Sequence, residues 1–328
     1  MLDRRSTSKG IIGALLSAGG ATKGALIKPG YKDCDALLWS VATVTRPPLS
    51  GIMPQNEDAF GEIGIQRGNA RFVGGAIGAN KPDLIKLGFS ALEATFHHRD
   101  NVNGFPYLLA KKAKPEERML SRLQSTAFFQ VELMQAAHIA DNLPWGAPYR
   151  DKLRHYVDIM RPEAEKIIEE IDEIMIDNLR AANRITLLLR FSFLAEYFYK
   201  IKIQRNRYIK AVTSLQLKDG SFLEMGGKDV SYQAAGLTFA GMALLVSMDE
   251  SLLLYFKNGI KWIDKNVSPD GDIIFNNGSR TSGQESDAKG NVKNPNWMEM
   301  TSSFVLGYAF TGNENLLNKA KAIWKKHK

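Results

Sequence analysis

Leu217-Lys218-Asp219-Gly220-Ser221-Phe222-Leu223-Glu224-Met225-Gly226-Gly227-Lys228-Asp229-Val230-Ser231-Tyr232-Gln233-Ala234-Ala235-Gly236 lies between two helix-forming runs. Asp219-Gly220 marks a turn, and the Gly226-Gly227 pair permits positive φ and close backbone approach. Asp219, Glu224, Lys228, Asp229, Tyr232 and Gln233 crowd the same stretch. A turn this polar and aromatic reads as the wall of a site, with a plain inter-helix connection as the alternative.

Related turns occur elsewhere. Asp270-Gly271-Asp272 follows Asp219-Gly220-Ser221 by about 50 residues, and Asn103-Gly104-Phe105 lies about two such steps upstream. That spacing is the length of a helical hairpin with its loops, as in a repeat array. Helical runs are expected over 32–45, 82–96, 116–140, 149–160, 162–178, 180–202, 205–215, 237–248, 251–266, 297–311 and 314–327. Residues 52–71 read as a long polar loop rich in glycine, and strand-like alternation is confined to 273–275. The expectation is a mostly α protein. Its hairpins would form an (α/α) toroid or incomplete barrel over residues 31–328, one catalytic domain with polar loops at one end.

Composition sets the outer limits. The 328 residues are 44% hydrophobic and 24% charged, which supports a sizeable core. A net charge of +8 favours acidic partners. Basic residues are not interleaved with aromatics on one segment, so nucleic acid is disfavoured. Cys34 is the single cysteine, which rules out an intramolecular disulfide and a cysteine-based zinc site. There is no phosphate loop, no H-E-x-x-H and no G-x-S-x-G, so no cofactor or metal is expected. No apolar run is long enough to span a membrane as a helix. Arg4-Arg5 and Lys9 precede a short apolar, small-residue stretch from Gly10 to Gly20, the layout of an export signal of twin-arginine type. Residues 1–30 are therefore expected to be that signal, with periplasmic or secreted location, or else a flexible N-terminus on a cytoplasmic protein.

Asp219-Gly-Ser-Phe222, followed by glycines and Asp229-Val-Ser-Tyr232, resembles the repeat-turn segment of α/α-toroid polysaccharide lyases. The similar groups are the chondroitin AC/hyaluronate lyases and the helical-barrel alginate lyases, and the likeness covers about residues 215–296. In the first group such a turn leads to a catalytic tyrosine, and an arginine one hairpin later helps bind the uronate. The resemblance thus implies Tyr232 as acid/base and Arg280, in Asn277-Gly-Ser-Arg280, as carboxylate binder. One departure stands out: the group's catalytic histidine falls where this chain has Met225.

Cleavage by β-elimination removes the C5 proton of a uronate, neutralises its carboxylate and protonates the leaving oxygen. Tyr232 suits the proton transfers if a cation lies beside it, and Lys228 is four residues away; a packed aromatic is the alternative. His97-His98-Arg99-Asp100 offers His98 as an assisting base, since adjacent helical residues face different ways. Histidine is also favoured at a helix C-terminus by the dipole. Arg280 is the candidate for bidentate carboxylate contact. Asn69, Arg71, His97, Asn101, Asn103, Glu224, Lys228, Asp229, Gln233, Glu285 and Trp297 complete the candidate substrate-binding set. The expected partner is an acidic polysaccharide or oligosaccharide. Paired carboxylates about 6.5–9.5 Å apart would instead suit an inverting glycoside hydrolase. A helical-repeat protein that binds an anionic partner without chemistry is the third reading.

Overall fold

The computed structural model describes residues 31–47, 63–97, 115–274, 278–280 and 292–328. Among these the regular structure is α-helical, with isolated β-bridges in the turns. The mostly α expectation holds. The helices are α1 (Tyr31–Ala42), α2 (Ile63–Gly78), α3 (Pro82–His97), α4 (Pro115–Asn142), α5 (Ala147–Ile159), α6 (Arg161–Glu169), α7 (Ile171–Asp177), α8 (Ala182–Tyr199), α9 (Arg205–Ser214), α10 (Val230–Val246), α11 (Glu250–Lys265), α12 (Trp297–Thr311) and α13 (Glu314–His327). None of them is long and apolar enough to cross a membrane.

Two kinds of helix alternate. In α8, α10 and α12 buried residues occur all round the circumference, as in a helix enclosed by others. In α11 and α13 the buried set is a stripe, Leu252, Tyr255, Phe256, Gly259, Ile260, Trp262 and Ile263 in the first and Leu316, Leu317, Ala320 and Ile323 in the second. Their other faces carry lysines. Packing follows the same division. Helix α1 lies on α2, α2 on α4, α4 on α8, α8 on α10, α10 on α12, and α12 returns to α1. The remaining helices attach to this set: α3 on α2, α5, α6 and α7 on α4, α9 on α8, α11 on α10, α13 on α12.

The stretch 63–71, expected as loop, is helical. Further along the same helix, glycines serve packing. A Cβ at Gly74 would come within 3.2 Å of Ala136, one at Gly75 within 2.6 Å of Ala42, and one at Gly78 within 2.6 Å of the Trp39 ring. Glycine lowers helix propensity, but here it lets α1 and α4 approach α2 closely. The single helix expected over 162–178 is two, meeting at Glu170. Ile273 makes only a bridge to Val267, so no strand forms among the described residues there.

The Asp-Gly turns are structural equivalents. After α9, Leu217 N donates to Ser221 O, Gly220 N to Leu217 O and Leu223 N to Leu215 O. After α11, Ser268 N donates to Asp272 O, Gly271 N to Ser268 O and Ile274 N to Asn266 O. All three bonds recur with a shift of 51 positions. Gly220 has φ 91° and Gly271 φ 83°, conformations that suit glycine. Each turn is seated on the outer helix one hairpin ahead: a Cβ at Gly220 would lie 2.4 Å from Asn258 O on α11, and one at Gly271 2.7 Å from Ile323 N on α13. Asn103-Gly104-Phe105 lies outside the described residues.

Candidate functional site

The turn between α9 and α10 is fastened from below. Gln233, fully buried, accepts from Phe222 N at 2.9 Å and donates to Gly259 O at 2.9 Å and Gly220 O at 3.3 Å. Its amide thus holds backbone. Asp229 is the N-cap of α10: Oδ1 accepts from Ser231 N and Tyr232 N at 3.0 Å each. Its other oxygen, Oδ2, accepts from Arg280 N at 3.0 Å. One carboxylate therefore both starts the helix that carries Tyr232 and tethers Arg280 beside it.

Residues 278–280 are sewn onto the turn along their length. Ser279 N donates to Lys228 O, and Ser279 Oγ to Glu224 O. Gly227 makes room for this contact, since a Cβ there would lie 2.8 Å from Ser279 Cβ. The Arg280 side chain then runs between two partners. Its guanidinium carbon sits 3.5 Å from the centre of the Tyr232 ring, and Nη1 lies 3.4 Å from Glu224 Oε2. Glu224 Oε1 accepts from Asn183 N at 2.7 Å. Lys293 Nζ donates to the Tyr232 hydroxyl oxygen. The result is a continuous line from Asn183 through Glu224, Arg280 and Tyr232 to Lys293.

Glu224 has no exposed surface, and burial pushes its carboxyl up to about 7 against the pull of the Asn183 N–H and Arg280. Asp219 behaves oppositely. Burial is the largest single influence and raises it, but the hydrogen bonds from Lys228 and Ser221 together with the Lys228 charge outweigh that and hold it at about 2. Lys228, expected beside Tyr232, is thus paired with Asp219 at 2.5 Å. The ammonium on the phenol belongs to Lys293, whose place in a polar loop far along the chain concealed it. Met225, at φ 52° with about half its surface exposed, keeps a left-handed backbone on the rim of the turn.

Arg71 and Asn69 lie elsewhere on α2. Asn69 donates to Thr95 at 2.8 Å. Arg71 bridges Glu132 and Glu299 at 2.9 Å each, and Arg190 meets Glu132 at 3.0 Å. Burial alone lowers the Arg71 pKa, but the two glutamates outweigh it and hold the guanidinium charged. Burial likewise raises Glu132, yet Arg190 and Arg71 bring it down to about 2. Neither Glu132 nor Arg190 was legible as a site residue, because each stands alone in a helical run.

His97 is exposed at the end of α3. Trp297 packs on Trp324 at 5.8 Å and on His327 at 6.0 Å. His98, Asn101, Asn103 and Glu285 lie outside the described residues. The structure therefore gathers Glu224, Asp229, Tyr232 and Arg280 into one cluster, with Lys228 and Gln233 in its supporting turn. Arg71 and Asn69 belong to separate networks. No protein-family model matches the chain, and neither a curated protein nor a solved structure is significantly similar to it.

Proposed function

We propose that the chain is a polysaccharide lyase that cleaves a uronate-containing glycan by β-elimination, with Tyr232 as its acid/base. The observation that carries this reading is the Tyr232 phenol, held between the Lys293 ammonium at its oxygen and the Arg280 guanidinium on its ring. Cations beside a phenol favour its charged form, the form that accepts a proton from carbon. In the proposed reaction the Tyr232 oxygen takes the C5 proton and the same group returns a proton to the departing glycosidic oxygen. Lys293 and Arg280 supply the positive charge that the uronate carboxylate needs for its α-proton to be acidic.

An (α/α) toroid is part of the proposal. Its support is the packing order, in which α1, α2, α4, α8, α10 and α12 each touch the next and the last touches the first. The 51-position recurrence of the two turns fits stacked hairpins. An extracytoplasmic location also belongs to the reading and rests on the Arg4-Arg5 segment alone.

One observation favours a glycoside hydrolase of the same helical class: Glu224, with its carboxyl raised to about 7, has the acidity of a general acid. Its burial beneath Arg280 puts this second. The test is incubation with alginate, hyaluronan, chondroitin and pectate while the ultraviolet absorbance of an unsaturated uronate is followed. The lyase gives that chromophore with one or more of them, and Tyr232→Phe lowers the rate by about 10²–10⁴-fold. Reducing ends without the chromophore would move the assignment to the hydrolase. Retained affinity without cleavage would make the chain a binding protein.

A further inference from the structure

A second set of polar groups lies where α1, α2, α4, α8, α10 and α12 face one another. Trp39, Arg71, Gln135 and Arg190 line a hollow there with about 490 Å³ of empty space, its open mouth included. A water molecule's centre can move through only about 50 Å³ of it, so an occupant must be small. Most of the wall is apolar, as at Leu38 and Met242, with a few polar groups converging on it. That is the make-up of a small-molecule pocket.

The hydrogen-bond inventory of this wall is incomplete. Arg190 gives its terminal nitrogens to Glu132 and Gln135, which leaves Nε without a partner at 1% exposure. Gln135 offers Oε1 to Arg190 and has nothing for Nε2. Trp39 Nε1 has no partner at 3% exposure. Glu132, also on this wall, has only Arg190 Nη2 at 3.4 Å for its Oε2. Buried polar groups in folded proteins are rarely left so, because an unmade bond costs the full desolvation of the group. Three donors on this wall lack a partner, and one carboxylate oxygen is weakly matched.

Charge narrows its chemistry. The two arginines and two glutamates of the network pair with one another, so the wall offers no surplus charge to an anion or a cation. The occupant must accept from several N–H groups and donate to a carboxylate oxygen without carrying charge. Hydroxyl groups do both. We propose that the hollow binds a small uncharged polyol, no larger than a single sugar ring. It shares no residue with the Tyr232 cluster, so the inference is independent of the lyase reading.

The full chain is titrated with glycerol, myo-inositol, D-glucose and D-galactose, and with D-glucuronate as the charged counterpart, by calorimetry and tryptophan fluorescence. At least one neutral polyol should saturate a single site and change the fluorescence, with D-glucuronate at least about tenfold weaker because its carboxylate finds no unpaired cation. Gln135→Leu should weaken the neutral ligand by about tenfold through loss of one buried donor. Trp39→Phe, a milder change that keeps an aromatic ring but removes the N–H, should weaken it and abolish the fluorescence response. Tyr232→Phe should leave the affinity unchanged. A linear, unsaturable stabilisation by every polyol would be solvent exclusion and would overturn the proposal. So would equal binding of D-glucuronate, unchanged affinity in folded Gln135→Leu and Trp39→Phe, or crystals grown in the polyol with only water in the hollow.

Discussion

The Arg280 guanidinium lies against the Tyr232 ring, 3.5 Å from its centre, while one of its nitrogens faces the buried Glu224 carboxyl. A single side chain thus joins a sealed acid to the face of an aromatic ring. Arg280→Ala would leave Glu224 buried without its cation, at an expected cost of about 2–4 kcal/mol in urea denaturation above neutral pH. Below neutral pH the cost should shrink, because Glu224 can then be protonated. Arg280→Lys keeps the charge but not the flat stack, and should fall between the two.

Glu224 also gives the molecule a sign in its pH dependence. Its folded pKa of about 7 lies above the ordinary 4.5, so between these values the native state holds more proton than the unfolded chain. Stability from this group is therefore full below about pH 4.5 and is lost as pH rises towards 7. Thermal melts of Glu224→Gln should lack that decline, whatever constant cost the substitution adds. A decline of the same size in the variant would count against the raised acidity.

Glu132 works in the opposite sense. Held at about 2 by Arg190 and Arg71, it contributes stability above its ordinary 4.5 that is lost as pH falls towards 2. Glu132→Gln strands two buried or half-buried arginines and should destabilise the fold by about 3–5 kcal/mol at neutral pH. Adding Arg190→Met to that variant should recover part of the loss, since the stranded charge is then gone. Chemical denaturation of the single and double variants decides it.

The turn glycines separate two costs. Gly220→Ala and Gly271→Ala combine a positive φ with collision against helix backbone, at 2.4 Å and 2.7 Å. Both should lose more than about 2 kcal/mol, and by similar amounts. Gly226 has φ 93°, yet a Cβ there would meet only Arg180 Nη2 at 3.4 Å, the end of a flexible chain. Gly226→Ala should cost only the conformational part, about 1–2 kcal/mol. Equal losses at all three would mean that the seating on α11 and α13 adds nothing.

The helices with a polar face were legible because their apolar residues recur along one stripe, as in α11 and α13, whose limits were read to within a residue. The uniformly apolar α10 was placed too late: Val230-Ser231-Tyr232 looked like loop until Asp229 proved to be its cap. The start of α2 was missed for a related reason. Gly64 and Gly68 signal a loop when read singly, yet both lie within α2. Of the site, Tyr232, Arg280, Glu224 and Asp229 were visible because they share one turn motif or its repeat. Lys293, Glu132 and Arg190 reach their partners only through the tertiary fold, and no spacing along the chain announces them.

The contact of α12 with α1 has a kinetic meaning. An open row of hairpins can fray from either end, each unit depending only on its neighbour. Here the first and last of the mutually packed helices hold each other, so fraying at one end exposes surface at the other. The described chain is expected to open as one unit, with amide exchange in α1 and α12 slowing together. During synthesis α1 would wait for some 250 residues before its second partner leaves the ribosome.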